Sequence, residues 1–202
     1  QWGDNASKDI PLLAGMSSYL YKAVVNSYPE FPIATTTGRE MTKGVAFDGT
    51  NYLVGIQGDQ NAVNNITAQL VSASTGSLVG SRISMGRTGG APDVAFDGTN
   101  YMMVWPDDAT NPCTIYGQRI NTSGALVGSR FYIGISGSRD GGPIVFDGTN
   151  YFIAWEVRSD PNSSDTADIY GQFISPSGAL LGSAIPVSTA SHGQRTPAIS
   201  FD

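Results

Sequence analysis

The chain has 202 residues, 40% apolar and 14% charged, with a net charge of −6. That balance argues against nucleic acid as a partner, because phosphate binding needs a dense basic face, and no run of about eighteen apolar residues exists to span a membrane as a helix. Gly, Ser, Thr and Asn fill the charge deficit, the makeup of a turn-rich all-β protein.

In chain order, the start at Gln1, with neither Met nor a signal-peptide pattern, is expected of a processed product or a fragment. Trp2 and the apolar run Leu20 to Val25 take their meaning from the repeats downstream of them. From Val45 the chain reads Val-Ala-Phe-Asp-Gly-Thr-Asn-Tyr, and the pattern returns at Val94 and at Ile144. A fourth copy begins at Ile199-Ser200-Phe201-Asp202. The four Phe positions, 47, 96, 146 and 201, lie 49, 50 and 55 residues apart, so the chain is a repeat array with a period near fifty.

Each copy predicts four short strands. First strands are expected at Gly44 to Phe47, Asp93 to Phe96, Pro143 to Phe146 and Thr196 to Phe201. Asp-Gly-Thr-Asn then reads as a hairpin turn tolerant of positive φ. Second strands follow at Tyr52 to Ile56, Tyr101 to Trp105 and Tyr151 to Trp155. These are apolar on both faces, as in a sheet sandwiched between neighbours. Third strands are expected at Ile66 to Val71, Ile115 to Ile120 and Ile169 to Ile174. After a Gly turn, fourth strands come at Leu78 to Ser81, Leu126 to Ser129 and Leu180 to Ser183. Four antiparallel strands at this period predict an all-β β-propeller of about four blades, each blade a four-stranded antiparallel sheet.

On this scheme residues 1–43 are a half-blade with an insertion, and residues 44–92, 93–142 and 143–195 are whole blades. Residues 196–202 supply the first strand that completes the split blade. Trp2 takes the place of Trp105 and Trp155, Tyr21 that of Tyr116 and Tyr170, and Phe31 to Ala34 form a weak fourth strand. The split blade closes in one of three ways: within one chain, between chains head to tail through Trp2 and Thr196 to Asp202, or as part of a larger propeller.

The motifs FDGTNYxxxW, IYGQxI and SGxLxGS resemble repeats found in large secreted bacterial β-propeller proteins. The resemblance covers the chain from Phe47 onward and, more loosely, residues 1–46. It implies an extracellular or cell-surface propeller and no particular activity, because the shared residues are turn and core residues.

The best candidate site lies in the loops. Those joining one blade to the next each carry one arginine, Arg39, Arg87, Arg139 and Arg195. Those joining second to third strands carry Asp59, Asp107, Asp108 and Asp160. In a propeller both groups share one face, so four guanidinium groups are placed to ring the channel mouth and take a glycan or an anionic ligand. The competing reading is ordinary surface arginines paired with nearby aspartates. Spacing from Arg to Phe drifts through 8, 9, 7 and 6 residues, which weakens the ring.

Other chemistry is sparse. Asp48, Asp97 and Asp147 read as hairpin residues rather than calcium ligands, which need six to eight oxygens. Their motif also lacks the Asp-box order of sialidases. Cys113 and His192 are single and far apart, so neither a disulfide nor a zinc site is expected, and no cofactor is. No catalytic residue is assigned. Glu156 is the most suggestive carboxylate for a carbohydrate-degrading module, read otherwise as a solvated loop residue. Tyr116 and Tyr170 recur at core positions and are expected to pack rather than stack on sugars. Asn-x-Ser/Thr sequons begin at Asn5, Asn65, Asn121 and Asn162. The leading expectation is a non-enzymatic binding or assembly module; the alternative is a carbohydrate-binding or carbohydrate-degrading propeller.

Overall fold

A computed structural model describes residues 31–33, 39–60, 63–109, 113–136, 142–158, 160 and 166–202. The chain divides into two units, Gln1–Phe31 and Pro32–Asp202, and the described residues other than Phe31 belong to the second. They carry twelve strands and no helix longer than a single 3₁₀ position. The first sheet holds β1 (Glu40–Phe47), β2 (Asn51–Gln60), β3 (Val63–Ser72) and β4 (Leu78–Thr88). The second holds β5 (Asp93–Phe96), β6 (Asn100–Asp107), β7 (Cys113–Asn121) and β8 (Leu126–Ser136). In the third are β9 (Ile144–Phe146), β10 (Tyr151–Arg158), β11 (Ala167–Ile174) and β12 (Leu180–Ser188). Each is an antiparallel meander in sequence order, as the repeat predicts.

The first hairpin of each sheet is fixed by its aspartate. Asp48 Oδ1 accepts from the N–H groups of Thr50 and Asn51 at 2.7 and 2.6 Å. Asp97 and Asp147 repeat the pattern, and the following Gly49, Gly98 and Gly148 all take positive φ. These carboxylates are turn residues, as expected.

The fourth strands run well past the Gly-Ser at which the sequence pattern ends. The reason is a bulge. Gly80, Gly128 and Gly182 sit at φ of 66°, 66° and 70°, where the pairing of third and fourth strands shifts register. Two extra residues there let the strand resume on the far side. The buried Gln69, Gln118 and Gln172 of the third strands satisfy the carbonyls so displaced. Gln118 Nε2, for one, donates to Arg119 O, Val127 O and Gly128 O at 3.0 to 3.3 Å. Gln69 and Gln172 do the same in their own sheets.

Alternation along the second strands builds the core. Tyr101, Met103 and Trp105 join Leu53, Ile66, Leu70 and Met85 in a cluster between the first and second sheets. Met102 and Val104, on the opposite face, join Tyr151, Ile153 and Trp155 in a cluster between the second and third. A smaller cluster of Val54, Ile56 and Val71 lies on the other side of the first sheet, with Ile33 packed on it. Tyrosine hydroxyls tie successive sheets: Tyr101 donates to Asn51 O and Tyr151 to Asn100 O, both at 3.1 Å.

Two expectations are corrected. Thr196 to Phe201 forms no strand, and neither do Phe31 to Ile33, so no fourth sheet is present among the described residues and no closed ring of sheets is seen there. A strand exists only with a hydrogen-bonded neighbour. β1, β5 and β9 each find theirs across the Asp-Gly-Thr-Asn hairpin. No described residue takes that place beside Thr196 to Phe201. Trp2, Tyr21 and the rest of residues 1–30 lie outside the described residues, as does the sequon at Asn162.

Candidate functional site

The described residues just ahead of β5 and β9 pair with the second strands of their own sheets, β6 and β10. Gly90 N–H donates to Pro106 O at 2.9 Å, and Ala154 N–H to Pro143 O at 3.2 Å. The first strands meet beneath them. Gly44 N–H donates to Pro92 O at 3.1 Å, and Ile144 N–H to Asp93 Oδ2 at 3.1 Å, so β5 is stitched to β1 on one side and to β9 on the other.

Asp93 also accepts from Val94 N–H at 2.9 Å. Burial pushes its carboxyl above the usual range, against the Val94 and Ile144 donors and the Lys43 ammonium, which pull it down. The same position holds Gly44 and Pro143 in the neighbouring copies and Ala198 in the fourth. A single charged residue in that column was a legible signal that sequence reading passed over.

A cavity of about 360 Å³ opens where these segments converge. Its lining draws on all four copies of the repeat: Met41, Thr42 and Lys43 from the first, Ala91 from the second, Gly142 from the third, Thr196 and Pro197 from the fourth. Measured from the motif Phe, Lys43, Gly142 and Pro197 stand four residues ahead, and Ala91 and Thr196 five. Trp155 and Glu156 complete the wall. Among the described lining residues the cavity therefore presents one ammonium, one carboxylate and two hydroxyls against apolar surface. Glu156 is buried, with one oxygen 2.5 Å from Arg158 Nε. It is the only carboxylate among the described lining residues.

Three of the four arginines expected to ring the channel mouth are among the described residues. Arg87, near the end of β4, lies 3.1 Å from Asp107 Oδ2, and Asp107 is 1% exposed. The other oxygen of Asp107 accepts from Ala109 N–H at 3.0 Å. This pair is a structural clamp rather than an open anion site. Arg39 and Arg195 are exposed, and neither takes part in an ion pair among the described residues. Asp59 is the next-to-last residue of β2 and Asp108 is half-buried in the turn after β6. Asp160 is exposed, its N–H donating to Thr166 Oγ1 at 3.1 Å. Arg139 lies outside the described residues.

The remaining candidates take ordinary places. Tyr116 lies between Trp105 and Tyr132, with the Arg130 guanidinium 5.6 Å from its ring centre, and Tyr170 packs on the cluster between the second and third sheets. Cys113 is half-buried. His192 is exposed and takes φ of 77°. Among the described residues no three His, Cys, Asp or Glu side chains gather as a metal site, and no helix is long and apolar enough to cross a membrane. No family model, no curated protein and no solved structure matches this chain.

Proposed function

We propose that the chain is an extracellular, non-enzymatic structural and binding module of the β-propeller type, with its fourth blade split between the two ends of the sequence. One observation carries the reading: equivalent positions of all four copies line a single cavity, as four blades round a common axis would. Ile33 adds support. It packs on Val54 and Ile56 much as Ile83 and Met85 of one copy pack with Met103 and Trp105 of the next, the place of a fourth-strand residue. Residues 196–202 are then a first strand offered for pairing, and assembly through that edge, head to tail, is the module's activity. Light scattering over a concentration series tests this. A mass that grows with concentration, and that reverts to one chain on deletion of residues 196–202, is the expected result. A concentration-independent monomer sinks assembly as the activity.

A second reading, capture of a glycan or small anionic ligand on the loop face, is favoured by the same cavity, with Lys43, Thr42 and Thr196 as donors. Screening against a glycan panel with wild type, Lys43→Ala and a double Arg39→Ala, Arg195→Ala variant tests it. Binding that survives in every variant, or no binding at all, overturns it.

A further inference from the structure

One column of the fourth strands changes from copy to copy. Four residues after the opening leucine stand Arg82, Arg130 and Ala184. In the first sheet Arg82 Nη1 reaches Glu40 Oε1 at 2.7 Å. In the second, the Arg130 guanidinium stands 5.6 Å from the centre of the Tyr116 ring. Tyr132, the register partner of Tyr116, meets the same ring edge-on. The third sheet keeps the tyrosine as Tyr170 and loses both companions. Ala184 stands in the place of Arg130, and Pro186 is the register partner of Tyr170. Among the described residues no cation lies over the Tyr170 ring.

A groove of about 380 Å³ opens at that place, between the second and third sheets. Trp155 and Tyr170 line it from the middle strands of the third sheet, Leu180 and Ala184 from its edge strand, and Tyr132 and Ile133 from β8. Asp168 belongs to the same face. It lies two residues before Tyr170 on β11 and opposite Val157, which also lines the groove. Alternation along a strand puts all three on one side of the sheet. Asp168 is half-buried and enters no ion pair among the described residues. Between the first and second sheets the carboxylate at this end is Asp107, the counterpart of Val157, and it holds the Arg87 guanidinium at 3.1 Å.

We propose that the groove binds a small alkylguanidinium ligand, about the size of arginine. Its head lies over Tyr170 and faces Asp168, and its stem runs along Leu180 and Ala184. The preceding copy is the template, because there the chain's own Arg130 and Arg87 make both contacts. A guanidinium is attracted to the face of an aromatic ring and forks onto a carboxylate, so one planar head satisfies both groups. A net charge of −6 favours a cation over an anion at this second site. The described lining comes from β8, β10, β11 and β12, so the inference does not depend on the split blade.

The test is an NMR titration of the isotope-labelled whole chain with N-acetylarginine amide. N-acetylcitrulline amide, which keeps the stem and the planar head without the charge, is the control. Saturable shifts confined to β8, β11 and β12 are expected with the first probe, and binding at least about tenfold weaker with the second. Asp168→Asn should weaken binding about two- to fivefold. Ala184→Arg gives the third copy the side chain that the second carries, and because Ala184 is exposed the variant keeps its fold. That variant should fill its own groove and lose binding. Absence of saturable shifts there, equal binding of the citrulline probe, or full binding by Ala184→Arg overturns the proposal. Binding of the peptide Gly-Gly-Arg-Gly-Gly more than about tenfold tighter than the blocked amino acid makes the occupant a partner chain, and overturns it too.

Discussion

Tyr101 and Tyr151 do with one hydroxyl what no apolar contact can do: they set the height of each sheet against the last. Removing that hydroxyl leaves a half-buried carbonyl with one partner fewer, so Tyr101→Phe and Tyr151→Phe should each cost about 1 kcal/mol in urea denaturation. Tyr52→Phe, at the exposed counterpart, should stay within about 0.5 kcal/mol of wild type. Acid stability belongs to this scale too. Burial pushes Asp48 up, but the N–H groups of Asn51 and Thr50 outweigh it and hold the carboxyl below its usual value. Asp147 is held low by the N–H groups of Asn150 and Thr149. A depressed carboxylate stabilises the fold above its unfolded pKa of about 3.9 and loses that contribution as pH falls through its lower folded value. Asp93 has the opposite sign, because its folded pKa is raised, so its ionisation costs stability as pH climbs from about 4. Melts between pH 2 and 7 should show a falling acid limb below about pH 4 that Asp147→Asn flattens. The turn role of Asp48, Asp97 and Asp147 was legible in the sequence because an Asx turn is completed within four residues. That Asp107 is the buried partner of Arg87 was not, because nothing local places one beside the other. Arg87→Met should therefore destabilise the fold by about 1–3 kcal/mol, and a chain with unchanged stability would return Arg87 to the pool of ligand-binding candidates.

At the scale of elements, the glutamine of the third strand and the glycine of the fourth form one device. The bulge at Gly128 turns carbonyls away from the ladder, and Gln118 collects them. Gln118→Leu leaves those acceptors unpaired and should cost about 1–3 kcal/mol. The linkers obey a tighter constraint. A methyl group on Gly142 would lie 1.8 Å from Ala154 O, and one on Gly89 2.1 Å from Pro106 O, both backbone atoms that cannot turn aside. Gly142→Ala should destabilise by at least about 2–3 kcal/mol in the same measurement. The motif letters Gln and Gly-Ser were visible in the sequence, and their partnership was not. It depends on two strands meeting at a register shift, which a strand-by-strand pattern ends at instead of crossing.

At the scale of the whole molecule, the described sheets bury their shared faces, Val54, Ile56 and Val71 are buried on the outer side of the first, and exposed apolar residues remain at both ends of the stack. Val45, Phe47 and Tyr52 are exposed at one end, Leu181, Ile185 and Val187 at the other. Exposed apolar residues of this kind fit the assembly proposed above. Ile185→Glu should leave the stability of the isolated chain within about 0.5 kcal/mol and lower any concentration-dependent mass by light scattering.

The sequence alone determined the repeat, the three hairpin-linked meanders and the two-faced apolar second strands. All of these are written in a period of two along a strand and in turns closed within a few residues. Only the tertiary structure decided the rest. Thr196 to Phe201 carries the letters of a first strand and forms none, because a strand depends on a neighbour that its own letters do not supply. The described loop arginines divide between a clamp on buried Asp107 and open solvent, because the fold and not the spacing selects their partners. Lys43, Ala91, Gly142 and Thr196 share one cavity although they are scattered along some 150 residues, because the described segments just ahead of each motif Phe converge.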